Sequence, residues 1–278
     1  MSNFTDKVAV VTGAGSGIGQ ALSIALARRG ARLAISDVNN DGLTDTVYQL
    51  ESLGAATHAQ QLDVSDRAAV QAYATAVVGH YGVVHQLYNN AGIAGASATV
   101  QETDYSAYER IIAVNLWGVI NGTKEFLAHL IASGDGHVIN VSSLNGLMGQ
   151  ASMTGYCSTK FAVRGFSESL RAEMIYNKLP VRVSVVHPGG VKTNIATAAL
   201  EEAGETGDEH AKRARVYNEK LLRLPASKAA DIIVDGVAAH RPRIIVGNDA
   251  RLVDLMVRVL PRSYPMLSAW WSRRVFNG

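Results

Sequence analysis

The sequence predicts a doubly wound α/β protein, a mostly parallel sheet of about seven strands with helices on both faces. Two observations predict it. Short apolar runs of strand length alternate with longer helical patterns along most of the 278 residues, which is the rhythm of βαβ units. A glycine-rich turn joins the first run to the first helix, and right-handed crossovers then place helices on either face.

The elements follow in order. Val8 to Val11 is a buried-strand run; after the glycine turn an Ala/Leu/Ile helix extends to about Arg29, where Gly30 ends it. Leu33 to Ser36 is the second strand, Asp41 to Leu53 the next helix, and His58 to Leu62 the third strand. Ser65 or Asp66 can cap a helix reaching Tyr81, since short polar side chains satisfy the open N–H groups of a first turn. His85 to Tyr88 is a fourth strand, Tyr108 to Ile131 a helix and Val138 to Val141 a fifth strand. A long helix spans Tyr156 to Asn177, and Val181 to Val186, closed by Pro188, is the sixth strand. Lys228 to His240 and Ile244 to Val246 supply a last helix and a seventh strand. One domain over 1–278 is expected, with a substrate-lid insertion at 196–224, where charge interrupts the rhythm, and a C-terminal extension at 249–278.

Composition bounds the function. Apolar residues make up 47% and charged residues 18%, an ordinary globular balance. The net charge of +2 gives no basic face for nucleic acid. Cys157 is the only cysteine, so no internal disulfide forms and a reducing, cytoplasmic setting is expected. The polar start, Met1 to Lys7, has no signal-peptide pattern, and no apolar run is long enough to span a bilayer.

The turn Thr12-Gly13-Ala14-Gly15-Ser16-Gly17-Ile18-Gly19 carries the first chemistry. A dinucleotide pyrophosphate needs close backbone approach, which glycine permits, and a helix N-terminus aimed at it. The glycines that matter are Gly13, Gly17 and Gly19, because Ile18 breaks the commoner spacing; a plain tight turn is the bland alternative. Asp37 ends the second strand, where a carboxylate accepts hydrogen bonds from ribose hydroxyls and repels a 2′-phosphate; it can equally be a solvated turn residue. No Arg or Lys follows Asp37 directly or lies in the glycine turn, which favours NAD over NADP.

Tyr156 and Lys160 stand four apart in a helical segment and so share a face. A phenol is a poor base near neutrality, and an adjacent ammonium favours its ionised form, making a general acid/base. Ser143 lies thirteen residues upstream, where its hydroxyl can orient a carbonyl or alcohol. Singly, each has a structural alternative: a turn cap for Ser143, an ordinary helix surface for the pair.

Together these segments resemble the short-chain dehydrogenase/reductase family, Rossmann-like in fold, over about residues 5 to 195. The matching stretches are the Thr12–Gly19 turn, Asp63-Val64, Asn89-Asn90-Ala91-Gly92, Asn115, Ser142-Ser143, Tyr156-Cys157-Ser158-Thr159-Lys160 and Pro188-Gly189-Gly190-Val191-Lys192-Thr193. The resemblance implies that Tyr156 is the catalytic acid/base and that Lys160 binds the nicotinamide ribose and lowers the tyrosine pKa. Ser143 would hold the reacting oxygen, and Asn115 a water in a proton relay. For the cofactor it implies contacts from Gly13, Ser16, Gly17, Ile18, Gly19 and Asp37, with Asp63 and Val64 flanking the adenine. Asn90, with Ala91 and Gly92 beside it, would lie near the inner ribose, and Pro188, Gly189, Val191 and Thr193 would contact the nicotinamide. It also implies a homotetramer. The three-residue gap between Tyr156 and Lys160 disfavours the enoyl-reductase branch, and the glycine spacing disfavours the epimerase-type branch.

Other conspicuous residues have structural readings. Cys157 is small packing. Glu125 and His129 lack a third metal ligand, so no metal site is expected. His187, before Pro188, is a hydrogen-bonded structural histidine more readily than a site residue. The tail from Leu252 to Phe276 mixes Leu, Met, Val, Tyr264, Trp270 and Trp271 with Arg258, Arg262, Arg273 and Arg274. Such a segment can lie on a membrane; covering an apolar pocket or packing between subunits is the favoured reading.

The function expected is an NAD-dependent interconversion of a secondary alcohol and a ketone, with a bulky hydrophobic substrate such as a hydroxysteroid or an aryl or alicyclic alcohol. An NADP-dependent carbonyl reductase is the near alternative. A catalytically silent dinucleotide-binding regulator is the alternative of another class, since fold does not fix function.

Overall fold

The computed structural model describes residues 4–95, 97–193 and 222–276. In chain order the strands are β1 (Val8–Thr12), β2 (Arg32–Asp37), β3 (Thr57–Gln61), β4 (Gln86–Asn89), β5 (Gly136–Val141), β6 (Val181–Pro188), β7 (Val191–Lys192), β8 (Leu224–Pro225) and β9 (Arg243–Val246). The helices are α1 (Gly17–Ala27), α2 (Asn40–Ser52), α3 (Arg67–Tyr81), α4 (Tyr105–Ile112), α5 (Gly118–Ala132), α6 (Thr154–Tyr176), α7 (Ala226–Ala238), α8 (Asn248–Val259) and α9 (Tyr264–Phe276).

Seven strands form one sheet in the order β3-β2-β1-β4-β5-β6-β9, every pair parallel. Alternation along β1 divides the core. Ala9 and Val11 face a layer with Leu22 and Leu26 of α1, Leu50 of α2 and Ile233 of α7. Val8 and Val10 face the other, with Tyr73 and Val77 of α3, Phe126 of α5 and Leu170 of α6. Side chains of period two buried on both faces are what a covered parallel sheet requires. β4 returns beside β1, pairing Ala9 with Gln86, so the strand order reverses there and a crevice opens at the carboxyl ends of β1 and β4.

Local chemistry sets the boundaries. The Asp66 carboxylate accepts from Ala68 N (2.9 Å) and Ala69 N (3.1 Å), capping α3. Asn39 caps α2 in the same way. Ser16, at the head of α1, makes no side-chain cap, which leaves the first-turn N–H groups there to another acceptor.

Three elements differ from expectation. The helix expected to begin at Tyr108 begins at Tyr105 and is interrupted by one π-helical turn, Ala113–Trp117, around Asn115; hydrophobic spacing does not register a single widened turn. Of the lid expected at 196–224, only its last residues are described; Leu224 with Pro225 pairs in parallel with Val191 and Lys192. The tail forms two helices broken at Pro261, with Leu252, Leu255, Val259, Met266, Leu267, Trp270 and Trp271 exposed.

Candidate active site

Six carboxyl strand ends, those of β1 to β6, converge on the crevice. At β1 the chain turns through Gly13 to Gly19. Gly17 has φ +54° and Gly13 φ +66°, a region where a Cβ is strained. A Cβ on Gly19 would stand 1.9 Å from the Gly13 carbonyl oxygen, so helix α1 can start this close to the strand only without one. At β2, Asp37 is half-buried, and its carboxylate accepts from Gly15 N (2.8 Å) and Asn39 N (2.8 Å). Gly15 thus anchors the acid, a function that the choice of Gly13, Gly17 and Gly19 overlooked.

At β3, Asp63 accepts from the backbone N and hydroxyl of Ser65, and the buried Val64 accepts from Asn121 Nδ2 (3.0 Å) through its carbonyl. At β4, Asn90 donates to Thr12 O (2.9 Å) and Gly13 O (3.1 Å), while the Thr12 hydroxyl accepts from Asn90 N and Ala91 N. The segment containing Ala91 and Gly92 is thereby latched to the glycine turn. Thr12 was legible only as the residue opening the turn, with nothing in the sequence to say that its hydroxyl closes the crevice.

At β5, Ser143 begins a 3-10 turn, its hydroxyl accepting from Asn145 N (3.1 Å). Its carbonyl oxygen lies 2.9 Å from Nδ1 of His187, a fully buried residue, so His187 is a structural histidine seated beneath a site residue. Cys157 is buried, with Asn145 Nδ2 3.4 Å from its sulfur, in keeping with packing. No cluster of three metal ligands occurs among the described residues.

Tyr156 and Lys160 project from the start of α6. Lys160 Nζ is buried, donates to Val141 O (3.0 Å) and lies 5.6 Å from the centre of the Tyr156 ring. Burial brings its pKa down to about 8, because nothing desolvated beside it offsets the charge. Burial pushes the Tyr156 phenol up from its ordinary value, with the Ser143 hydroxyl beside it pulling the other way.

Asn115, fully buried in the π turn, is held through both ends of its amide: Oδ1 accepts from Ile93 N (2.8 Å), and Nδ2 donates to Ile93 O (2.8 Å) and Thr159 Oγ1 (3.2 Å). It ties α6 to the β4 loop. A buried chain from Asn89 through Asn140 to Ser167 joins β4, β5 and α6 behind it; single asparagines on strands carry no sequence signal for this. At β6, Pro188 ends the strand, Gly189 N donates to Val246 O (2.8 Å), and Gly190 N donates to Asp249 of α8 (2.6 Å). Val191 is buried, and Thr193 lies close enough to the glycine turn that a Cβ on Gly17 would meet its methyl at 3.1 Å.

A dinucleotide fits this crevice. The uncapped head of α1 offers N–H groups to a pyrophosphate, the backbone there has no side chains in the way, and Asp37 stands at the end of β2 where ribose hydroxyls can donate. At the turn Ser16 is exposed, and half-buried Ile18 packs against the core.

Comparison with known proteins agrees with this geometry. A model described as short chain dehydrogenase matches residues 7–204. A Mycobacterium tuberculosis protein named "Putative oxidoreductase SadH" is 49% identical over 269 residues, covering 97% of this chain and 96% of its own. A cyclohexanol dehydrogenase from Acinetobacter is 33% identical over 204 residues, covering 73% of this chain and 80% of its own. Among solved structures, a Burkholderia phymatum short chain dehydrogenase/reductase in complex with NAD superposes with a TM-score of 0.85 at 30% identity, covering 97% of both chains.

Proposed function

From the premise that the chain belongs to the short-chain dehydrogenase/reductase family, we propose that it is an NAD-dependent oxidoreductase interconverting a secondary alcohol and a ketone. The observation that carries the reading is the meeting of Ser143, Tyr156 and Lys160 at one end of the crevice, with Asp37 at the other. When bound, a nicotinamide would supply the hydride acceptor for an alcohol's carbinol carbon, or the hydride donor for a ketone's carbonyl carbon. In oxidation the Tyr156 oxygen takes the hydroxyl proton, and in reduction it gives that proton to the forming alkoxide. The Ser143 hydroxyl holds the substrate oxygen. Lys160, held by Val141 O, would set its ammonium beside the Tyr156 ring and donate to ribose hydroxyls. Asn115, its side chain held by Ile93 and Thr159, would hold a water in the proton relay through Lys160.

Gly13, Ser16, Gly17, Ile18 and Gly19 would cradle the pyrophosphate, Asp63 and Val64 would flank the adenine, and Asn90, Ala91 and Gly92 would line the ribose. Pro188, Gly189, Val191 and Thr193 would border the nicotinamide. The substrate class is a bulky hydrophobic alcohol, aryl, alicyclic or hydroxysteroid; the activity named for the Acinetobacter relative, toward cyclohexanol, supports the alicyclic reading. The test is steady-state kinetics with NAD and NADP on such a panel. Preference for NAD by at least about tenfold is expected, since Asp37 opposes a 2′-phosphate; preference for NADP overturns the role of Asp37, and no turnover with either cofactor favours the silent binder.

A further inference from the structure

Helices α8 and α9 display large apolar side chains to solvent. In α9 the buried position is Ser268 (7% exposed), whose hydroxyl reaches Gly149 O at 3.4 Å. The large apolar side chains face solvent: Met266 is 71% exposed and Trp270 59%, with Leu267 and Trp271 also exposed. Spacing of one and four residues puts these four on one face. In α8, Asp254 turns inward to Arg243 (2.6 Å), whereas Leu252 (68% exposed), Leu255 and Val259 form an outer stripe. Two successive helices that turn a serine and an aspartate toward the fold while displaying leucine, methionine and tryptophan present an apolar face for a neighbour.

Charge decides what that neighbour is. Residues 248–276 hold five arginines (Arg251, Arg258, Arg262, Arg273, Arg274) and two aspartates. Both acids are engaged within the fold, Asp249 with Gly190 N and Asp254 with Arg243 and Arg258. Arg273 and Arg274 stand one turn beyond the exposed tryptophans, and the Arg274 guanidinium lies 5.5 Å from the Trp270 ring. A two-fold dimer through this face would bring arginines against arginines. An anionic bilayer supplies both what the apolar stripe and what the arginines need: interfacial acyl chains for Leu, Met and Trp, and phosphates for Arg. We propose that α8 and α9 dock this protein onto anionic lipid surfaces, lying in the interface without crossing it; no described helix is long and apolar enough to span.

The proposal stands apart from the enzymatic reading, and its test needs no substrate. Full-length protein is sedimented with vesicles of phosphatidylcholine alone and of equimolar phosphatidylcholine and phosphatidylglycerol, at low and high salt, with light scattering on the protein alone. Wild-type protein is expected to bind the anionic vesicles roughly tenfold more than the neutral ones, and to leave them in high salt. Trp270→Ser with Trp271→Ser should abolish binding to both, and Arg273→Gln with Arg274→Gln should remove most of the anionic preference. Far-UV circular dichroism and the thermal midpoint confirm that each variant is folded. Wild-type protein remaining in the supernatant with both vesicles overturns the proposal. So does a tryptophan variant that lowers the assembly number in light scattering without vesicle binding by the wild type, which would make the face an interface between copies.

Discussion

At the scale of single residues, Tyr156 and Lys160 are shaped by desolvation. Burial holds the phenol above its ordinary pKa and the ammonium at about 8. Alcohol oxidation needs the ionised tyrosine and ketone reduction the neutral one, so kcat/KM is expected to rise with pH for the alcohol and fall for the ketone; parallel slopes in the two directions would contradict the assignment. Tyr156→Phe should lower turnover by about 10²–10⁴-fold while cofactor affinity, read by fluorescence titration, stays within a few-fold. The pair was legible because helical spacing puts residues four apart on one face. Thr12, Gly15 and Asp249 were not, because each acts by a hydrogen bond to a residue distant in sequence: Thr12 to Asn90, Gly15 to Asp37, Asp249 to Gly190.

At the scale of elements, the seven sheet strands were legible to within about two residues at their ends, the buried ones such as β1 because they are apolar runs. The π turn at Ala113–Trp117 and the two-residue β7 and β8 were not, being too short for a period to repeat. The β1–α1 junction shows how narrowly an element can be fixed. The Gly19 Cα must pass the Gly13 carbonyl so closely that a methyl there has no room. Gly19→Ala should cost more than ~2 kcal/mol of stability and weaken dinucleotide binding more than it changes the pH profile. Chemical denaturation and cofactor titration measure the two effects, and an unchanged denaturation midpoint would count against this account of the junction.

At the scale of the whole molecule, two buried histidines couple the fold to acid. Burial, chiefly, holds His137 at about 3 and His187 at about 4, both below the free value of 6.5. The unfolded chain therefore takes up these protons first, and stability, complete above pH 6.5, is lost as pH falls from there toward 4. The urea midpoint should decline over that window with an uptake approaching two protons, and His187→Asn should bring the uptake down by about one. A flat midpoint across the window would refute the buried-neutral state of both. The sequence placed His187 at a strand end; that the fold seals it beneath Ser143 follows only from the way β6 lies against β5.

The return of β4 to the side of β1 also has a consequence in time. Contacts that complete the crevice join residues far apart in the chain: Thr12 with Asn90, and Gly17 with Thr193. Pairing parallel strands across such separations is slow, because loop entropy is spent before the contacts repay it. A chain leaving the ribosome holds its glycine turn early and lacks the other wall until the residues near Thr193 have emerged and docked. The cofactor crevice is thus among the last things this protein makes of itself, and recovery of dinucleotide affinity during refolding should trail recovery of helix.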